Sequence, residues 1–280
     1  MSPANHLKNS KKYWVPDPNS ASKSRSEDTI YYPVERFDIR CQEIEDLSYW
    51  FIHRNRCILQ AICNYPPRNP FLDVGGGNGY VTKMLQNNGV FAILVEPAVA
   101  ACQNAFQHRG IEQIVCAPLE KAGFKKETAG SIGVFDMIEH LPNDRFFIEQ
   151  AFDILSENGL LFITVPACPW LKSYNDLYAG HFRRYTKSSL TRLLDNRFSV
   201  LYCSHIFGLL VLPLFFFRSL PFRLGLTKKR RFLTSHVEHG IKKPRFTKFI
   251  LRLLEHEVSS IANGQENKIG SSLLCVAQKK

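Results

Sequence analysis

The sequence predicts a doubly wound α/β fold, a parallel sheet with helices on both faces. Short apolar runs alternate with segments of helical periodicity from residue 71 onward, and a glycine-rich turn closes the first run. A chain of 280 residues that is 45% hydrophobic is long enough for one large core.

Residues 36–62 carry apolar positions at helical spacing and stop before the Pro66-Pro67 break. FLDV (71–74) reads as the first strand, followed by a helix over 80–88, AILVE (92–96) and a helix over 98–109. Strands at 114–117 and 131–137, a helix over 144–156 and a strand within 159–167 come next. A helix over 187–195, a strand over 198–205 and a last strand within 270–278 complete the core. Three parts are expected: a polar tail (1–28), a core (29–205 with 268–280) and an irregular, apolar and basic insertion (206–267). The run IFGLLVLPLFFF in that insertion is interrupted by Pro213 and falls short of the roughly 20 residues that a spanning helix needs.

Eight scattered cysteines without a C-x-x-C pair speak against a zinc ribbon or a redox dithiol. With no N-terminal apolar segment, they predict reduced thiols in the cytoplasm. The formal charge of +11 is concentrated in the C-terminal third and calls for an anionic partner.

The stretch FLDVGGGNGY places Gly75, Gly76, Gly77 and Gly79 directly after a strand. Bare backbone there lets N–H groups approach a nucleotide-like ligand. A dinucleotide fingerprint fails, because its last glycine falls on Tyr80 or Thr82, and no Gly-Lys-Ser/Thr follows for a phosphate loop. What stands is D-x-G-x-G-x-G from Asp73 to Gly79, with Glu96 at the end of the next strand. This resembles the cofactor motif of class I S-adenosylmethionine (SAM) dependent methyltransferases.

The resemblance continues through SIGVFDMIEHLPND, the Val165-Pro166 step and an S-x-x-D…H-x-R-R-Y segment ending at Tyr185. It is similar to the bacterial type 11, 12 or 23 group and covers roughly residues 40–220 and the final strand. It implies a Rossmann-like, three-layer fold with a seven-stranded sheet, the last strand antiparallel, and an insertion before that strand. It also implies SAM as cofactor, held by Asp73, Gly75, Gly76, Gly77, Gly79, Glu96, Pro97 and Asp136, with Glu96 accepting from both ribose hydroxyls. The chain departs from the pattern at Cys116-Ala117-Pro118, where many relatives carry an acid for the adenine, and at Ala129-Gly130.

Methyl transfer is an in-line displacement that needs a positioned nucleophile and sometimes a base. His140, His181 and Tyr185 are the catalytic candidates, and Trp50, Arg54, Glu139, Arg183 and Arg184 the acceptor-side candidates. The two adjacent arginines could clamp a phosphate or carboxylate, or instead brace the loop through Asp176 or Glu139. In some relatives a Glu-His step like Glu139-His140 is linked to a divalent metal. No second histidine adjoins it in the sequence, so no metal is expected, and SHVEHG (235–240) reads as a solvated half-site.

The expected reaction is transfer of a methyl group, on oxygen, to a small-molecule or lipid- or glycan-linked acceptor. The apolar block followed by Arg218, Arg223 and Lys228–Arg231 suits an anionic membrane surface through 206–232, or a cap that buries its phenylalanines against the sheet. Nucleic acid is not expected as a partner, because no RNP, KH or OB signature accompanies the charge. The alternatives are a membrane-bound scaffold without catalysis and an RNA methyltransferase; the intact Asp73, glycines and Glu96 speak against the scaffold.

Overall fold

The computed structural model describes residues 44–226 and 244–280. The polar tail, the basic stretch Lys228–Arg231 and the SHVEHG stretch lie outside the described residues. Helix α1 (Tyr49–Asn64) starts where Ser48 Oγ accepts from Trp50 N at 3.2 Å. Of the helix expected over 36–62, residues 36–43 lie outside the described residues; a separate helical turn occupies 44–47, and the serine cap starts α1 after it.

The core then runs β1 (Phe71–Val74), α2 (Tyr80–Asn87), β2 (Ala92–Val95), α3 (Val99–Arg109) and β3 (Ile114–Val115). It continues through β4 (Ala129–Phe135), α4 (Asp144–Ile154), β5 (Leu155–Pro166), α5 (Tyr174–Ala179), α6 (Lys187–Leu194) and β6 (Phe198–Ile206). A helical segment over 208–223, helix α7 (Pro244–Ala262) and β7 (Ser272–Lys279) follow. The sheet has seven strands in the order β3-β2-β1-β4-β5-β7-β6, and β7 runs antiparallel to both neighbours.

Strands β1, β2 and β4 are buried at every position, as both-face coverage of a parallel sheet requires. Leu72 and Val74 turn toward α4 and α6, where Phe147, Ile148, Ala151, Leu190 and Leu194 close one core. Phe71 turns the other way, into a second core with Ile58, Leu85, Leu254 and Val258 from α1, α2 and α7. The sheet order reverses direction beside β1, between β2 and β4, which opens a crevice at the carboxyl ends of these strands.

The insertion is not irregular where it is described. Helix α7 lies on α1, with Asn64 Nδ2 donating to Ile261 O at 2.6 Å. Its buried Glu257 accepts from His53 Nε2 at 2.9 Å, Phe207 N at 2.7 Å and Gly208 N at 2.6 Å. One carboxylate thus bolts α1, α7 and the turn after β6 together. Glu257→Ala strands three donors in a dry site and is expected to cost about 2–4 kcal/mol in a chemical denaturation midpoint, with SAM affinity little changed. A cost below about 0.5 kcal/mol would show that the bolt is redundant.

Candidate active site

The cofactor side is assembled locally. After β1 the chain turns through Gly75 (φ +70°), Gly77 (φ +55°) and Gly79 (φ +75°), backbone that side chains other than glycine rarely adopt. A Cβ on Gly75 would sit 2.6 Å from Met137 Cγ, and one on Gly76 would sit 2.7 Å from Asp73 Oδ2. Glu96 closes the turn, Oε2 accepting from Gly77 N at 3.0 Å and Oε1 from Ala98 N at 2.8 Å. Two carboxylate oxygens carry about four acceptor sites, so two remain for a ligand's hydroxyls.

Asp73 is fully buried; Oδ2 accepts from Thr82 Oγ1 at 2.6 Å, while Oδ1 has no partner within the protein. Burial pushes the Asp73 carboxyl up to about 6 and that of Glu96 up to about 7. Both acids are therefore held at a cost that a cationic, hydroxyl-bearing ligand would offset. SAM, with its sulfonium, ammonium and ribose, fits that donor set. Pro97 continues the Glu96 turn, where Cys116 Sγ lies 4.0 Å from Pro97 O in place of the acid that many relatives carry.

The acceptor side is assembled from distant parts of the chain. Asp136 stands just past β4 in left-handed backbone (φ +52°). Its Oδ1 accepts from Thr164 Oγ1 at 2.9 Å and its Oδ2 from Arg54 Nη1 at 2.7 Å. Arg54 is thereby committed to Asp136. Glu139 and His140 follow in a tight turn (Ile138–His140), both buried.

Phe182 N donates to Glu139 O at 2.9 Å and Tyr185 N to Pro166 O at 2.8 Å, which pins the GHFRRY loop over that turn. His181 is thereby brought edge-on to His140, with ring centroids 4.7 Å apart, and its Nε2 lies 4.0 Å from Glu139 Oε1. The expectation of no metal rested on a missing second histidine; the fold supplies one. The ligand atoms of Glu139, His140 and His181 lie within 4.8 Å of one another.

Asp176 orients this cluster, a residue that sequence reasoning raised only as a salt-bridge partner. Its Oδ2 accepts from Ser173 N at 2.8 Å in a capping box at the start of α5. Its Oδ1 accepts from Arg184 Nε at 2.7 Å and from His181 Nδ1 at 3.1 Å. Burial would raise its pKa, but His181 and Arg184 outweigh burial and hold it well below the usual carboxylate range. An ionised Asp176 fixes the His181 proton on Nδ1 and leaves Nε2 as an acceptor. The S-x-x-D spacing was the signal that could have found it. Glu139 is the opposite case: burial, then the Asp136 charge, pushes its carboxyl well above the usual range, and both of its oxygens lack a hydrogen bond.

Four candidates are placed elsewhere or spoken for. Tyr185 is buried with its hydroxyl donating to Asp144 Oδ2 at 2.7 Å, and burial together with that carboxylate pushes its pKa up. It braces the loop and does not face the acceptor cluster. Arg183 pairs with Asp144 at 2.8 Å and Arg184 with Asp176, so the bracing role holds and no free arginine clamp exists at this loop. Trp50 stacks on Phe207, ring centroids 3.9 Å apart, and anchors the insertion.

A seven-stranded sheet in this order, with a nucleoside cradle at its carboxyl edge, defines a class I, SAM-dependent methyltransferase. A family model described as a methyltransferase domain matches residues 51–197, and the chain belongs to that family. Among curated proteins, it is similar to the mitochondrial ubiquinone biosynthesis O-methyltransferase of Homo sapiens, 29% identical over 157 residues, 51% of this chain and 40% of the relative. The Rattus norvegicus counterpart is 27% identical over 134 residues, 43% of this chain and 38% of the relative. The chain thus spans about two fifths of the length of the curated relatives it matches. In fold it resembles a SAM-dependent methyltransferase from Thermotoga maritima, with a TM-score of 0.56 at 13% identity, covering 88% of this chain and 98% of that one. It also resembles one from Archaeoglobus fulgidus, with a TM-score of 0.53 at 14% identity, covering 86% and 100%.

Proposed function

We propose that the enzyme methylates a hydroxyl oxygen on a small, apolar or lipid-linked acceptor. The carrying observation is the cluster at the carboxyl edge, in which Asp176 directs His181 Nε2 toward Glu139 and His140 beside the cofactor-side Asp136. SAM, when bound, supplies a methyl group on sulfur that leaves as a neutral thioether. The residues of the chain then have two tasks: to seat the acceptor hydroxyl against the cluster, and to take its proton onto His181 as the oxygen–carbon bond forms. The curated relatives are O-methyltransferases by name, which supports oxygen as the atom methylated.

A second reading of the same cluster is a divalent cation held by Glu139, His140 and His181. It is favoured by the two unpartnered oxygens of Glu139 and by a set of one carboxylate and two imidazoles, which suits zinc or manganese.

The test is transfer of radiolabelled methyl from SAM to matched phenol, alcohol and amine acceptors, with and without a chelator. Label on the hydroxyl compounds supports the proposal. Label confined to amines or carbon overturns it, and chelator sensitivity restored by metal assigns the cluster to the cation.

A further inference from the structure

Segment 208–223 inverts the usual pattern of a surface helix. Its inner side is apolar, with Leu210 and Val211 buried and Ser219 Oγ donating to Leu171 O at 2.7 Å. Its outer side is apolar as well: Leu212 is 65% exposed, Phe216 55%, Phe217 81%, and just beyond the segment Leu224 is 62% and Leu226 71% exposed. Phe216 and Phe217 are therefore not buried against the sheet as a cap would require, whereas Phe207 is. An exposed apolar face rimmed by basic residues marks a contact surface, and this segment has only its inner side in the interior.

The patch continues toward the acceptor site. Trp170 meets Phe215 edge-on, ring centroids 5.6 Å apart, and Arg223 Nη2 donates to Trp170 O at 2.9 Å. Trp170 lies in the short turn Pro169–Leu171 that leads directly into Ser173 and Asp176. The exposed apolar surface and the residue that orients His181 are thus joined through one short turn.

Charge decides between occupants. Arg218 and Arg223 lie within the segment, the sequence continues into Lys228–Arg231, and the formal net charge of the chain is +11. A second copy of this chain would bring those cations together, whereas an anionic bilayer attracts each of them by about 1 kcal/mol. No helix among the described residues is long and apolar enough to cross a membrane, so the contact is interfacial. We infer that residues 208–226 form a docking surface that seats the enzyme on an anionic lipid bilayer. Uptake of the acceptor from that lipid rests on the function proposed above; the docking does not.

The experiment is vesicle co-sedimentation of the full chain, without SAM or acceptor, on phosphatidylcholine with and without phosphatidylglycerol. The wild type is expected to bind the anionic vesicles at least about tenfold more tightly than the neutral ones. The triple variant Leu212→Ser, Phe216→Ser, Phe217→Ser is expected to lose about tenfold or more of the anionic-vesicle affinity while keeping wild-type SAM affinity by calorimetry. Phe217→Trp, which leaves the surface apolar, is expected to shift its emission to the blue on the anionic vesicles. Wild-type protein left in the supernatant, undiminished binding by a SAM-competent triple variant, or unshifted emission of Phe217→Trp overturns the inference. So does a concentration-dependent dimer that the triple variant abolishes. Methyl transfer to soluble hydroxyl acceptors without vesicles tests the proposed function separately, so one can fail without the other.

Discussion

Glu96→Gln is expected to weaken SAM binding about a hundredfold and to raise the stability of the free protein, relative to wild type, as pH rises from 4 to 8. Binding falls because two hydrogen bonds from ribose hydroxyls to a carboxylate become weaker neutral ones or are lost, each worth about 1.5–3 kcal/mol. Stability rises because burial has lifted the Glu96 carboxyl from its ordinary 4.5 to about 7, so its ionised form opposes folding. A carboxyl with a raised folded value binds more protons folded than unfolded. Its burden is absent below about pH 4.5, grows as pH rises and is complete above about 7. The variant's stability relative to wild type should therefore rise by roughly 1–3 kcal/mol from pH 4 to pH 8, above a pH-independent loss because its amide nitrogen cannot accept from the N–H of Gly77 or Ala98. Calorimetry with SAM and denaturation at the two pH values measure both effects. Wild-type affinity in the variant would remove Glu96 from the cofactor site; a stability difference that does not change between the two pH values would show that the protein relaxes around the charge.

That carboxylate illustrates what was legible in the sequence. The cofactor side lies within one strand-turn-helix unit and the strand after it, so Asp73, the glycines and Glu96 can be read in line. The sheet was equally legible, because β1, β2 and β4 are continuous apolar runs buried on both faces. Boundaries failed where local chemistry overrode the pattern. Strand β4 stops at Phe135 because Asp136 takes left-handed backbone, and β5 begins at Leu155, before the apolar run that announced it. The acceptor side depends on three-dimensional partners. Nothing in the sequence ties Arg54 to Asp136 or sets His181 against His140; those contacts exist only after α1 and the GHFRRY loop converge on the end of β4. Helix α7 lies inside the stretch expected to be irregular, although Ile250, Leu254, Val258 and Ile261 recur there at helical spacing.

His181→Ala is expected to lower kcat by about 10²–10⁴ with SAM affinity unchanged, the range that removal of a positioned general base produces. Asp176→Asn should cost less, about 10–100-fold in kcat, because the imidazole remains but its tautomer is no longer fixed by an anion. Since Asp176 also caps α5 and holds Arg184, that variant loses stability, and activity must be compared at temperatures where it is folded. Tyr185→Phe supplies the control. It removes a buried hydrogen bond to Asp144 on the same loop and should cost about 1 kcal/mol of stability while leaving kcat within a fewfold of wild type. If Tyr185→Phe and His181→Ala impair turnover equally, the loop matters only as a brace and His181 has no special place in the chemistry. If His181→Ala alone collapses turnover, chelation separates the remaining possibilities. A wild type indifferent to chelator leaves the imidazole as the base, and one silenced by chelator and revived by zinc or manganese makes it a ligand, with Glu139 and His140 expected to be as sensitive as His181.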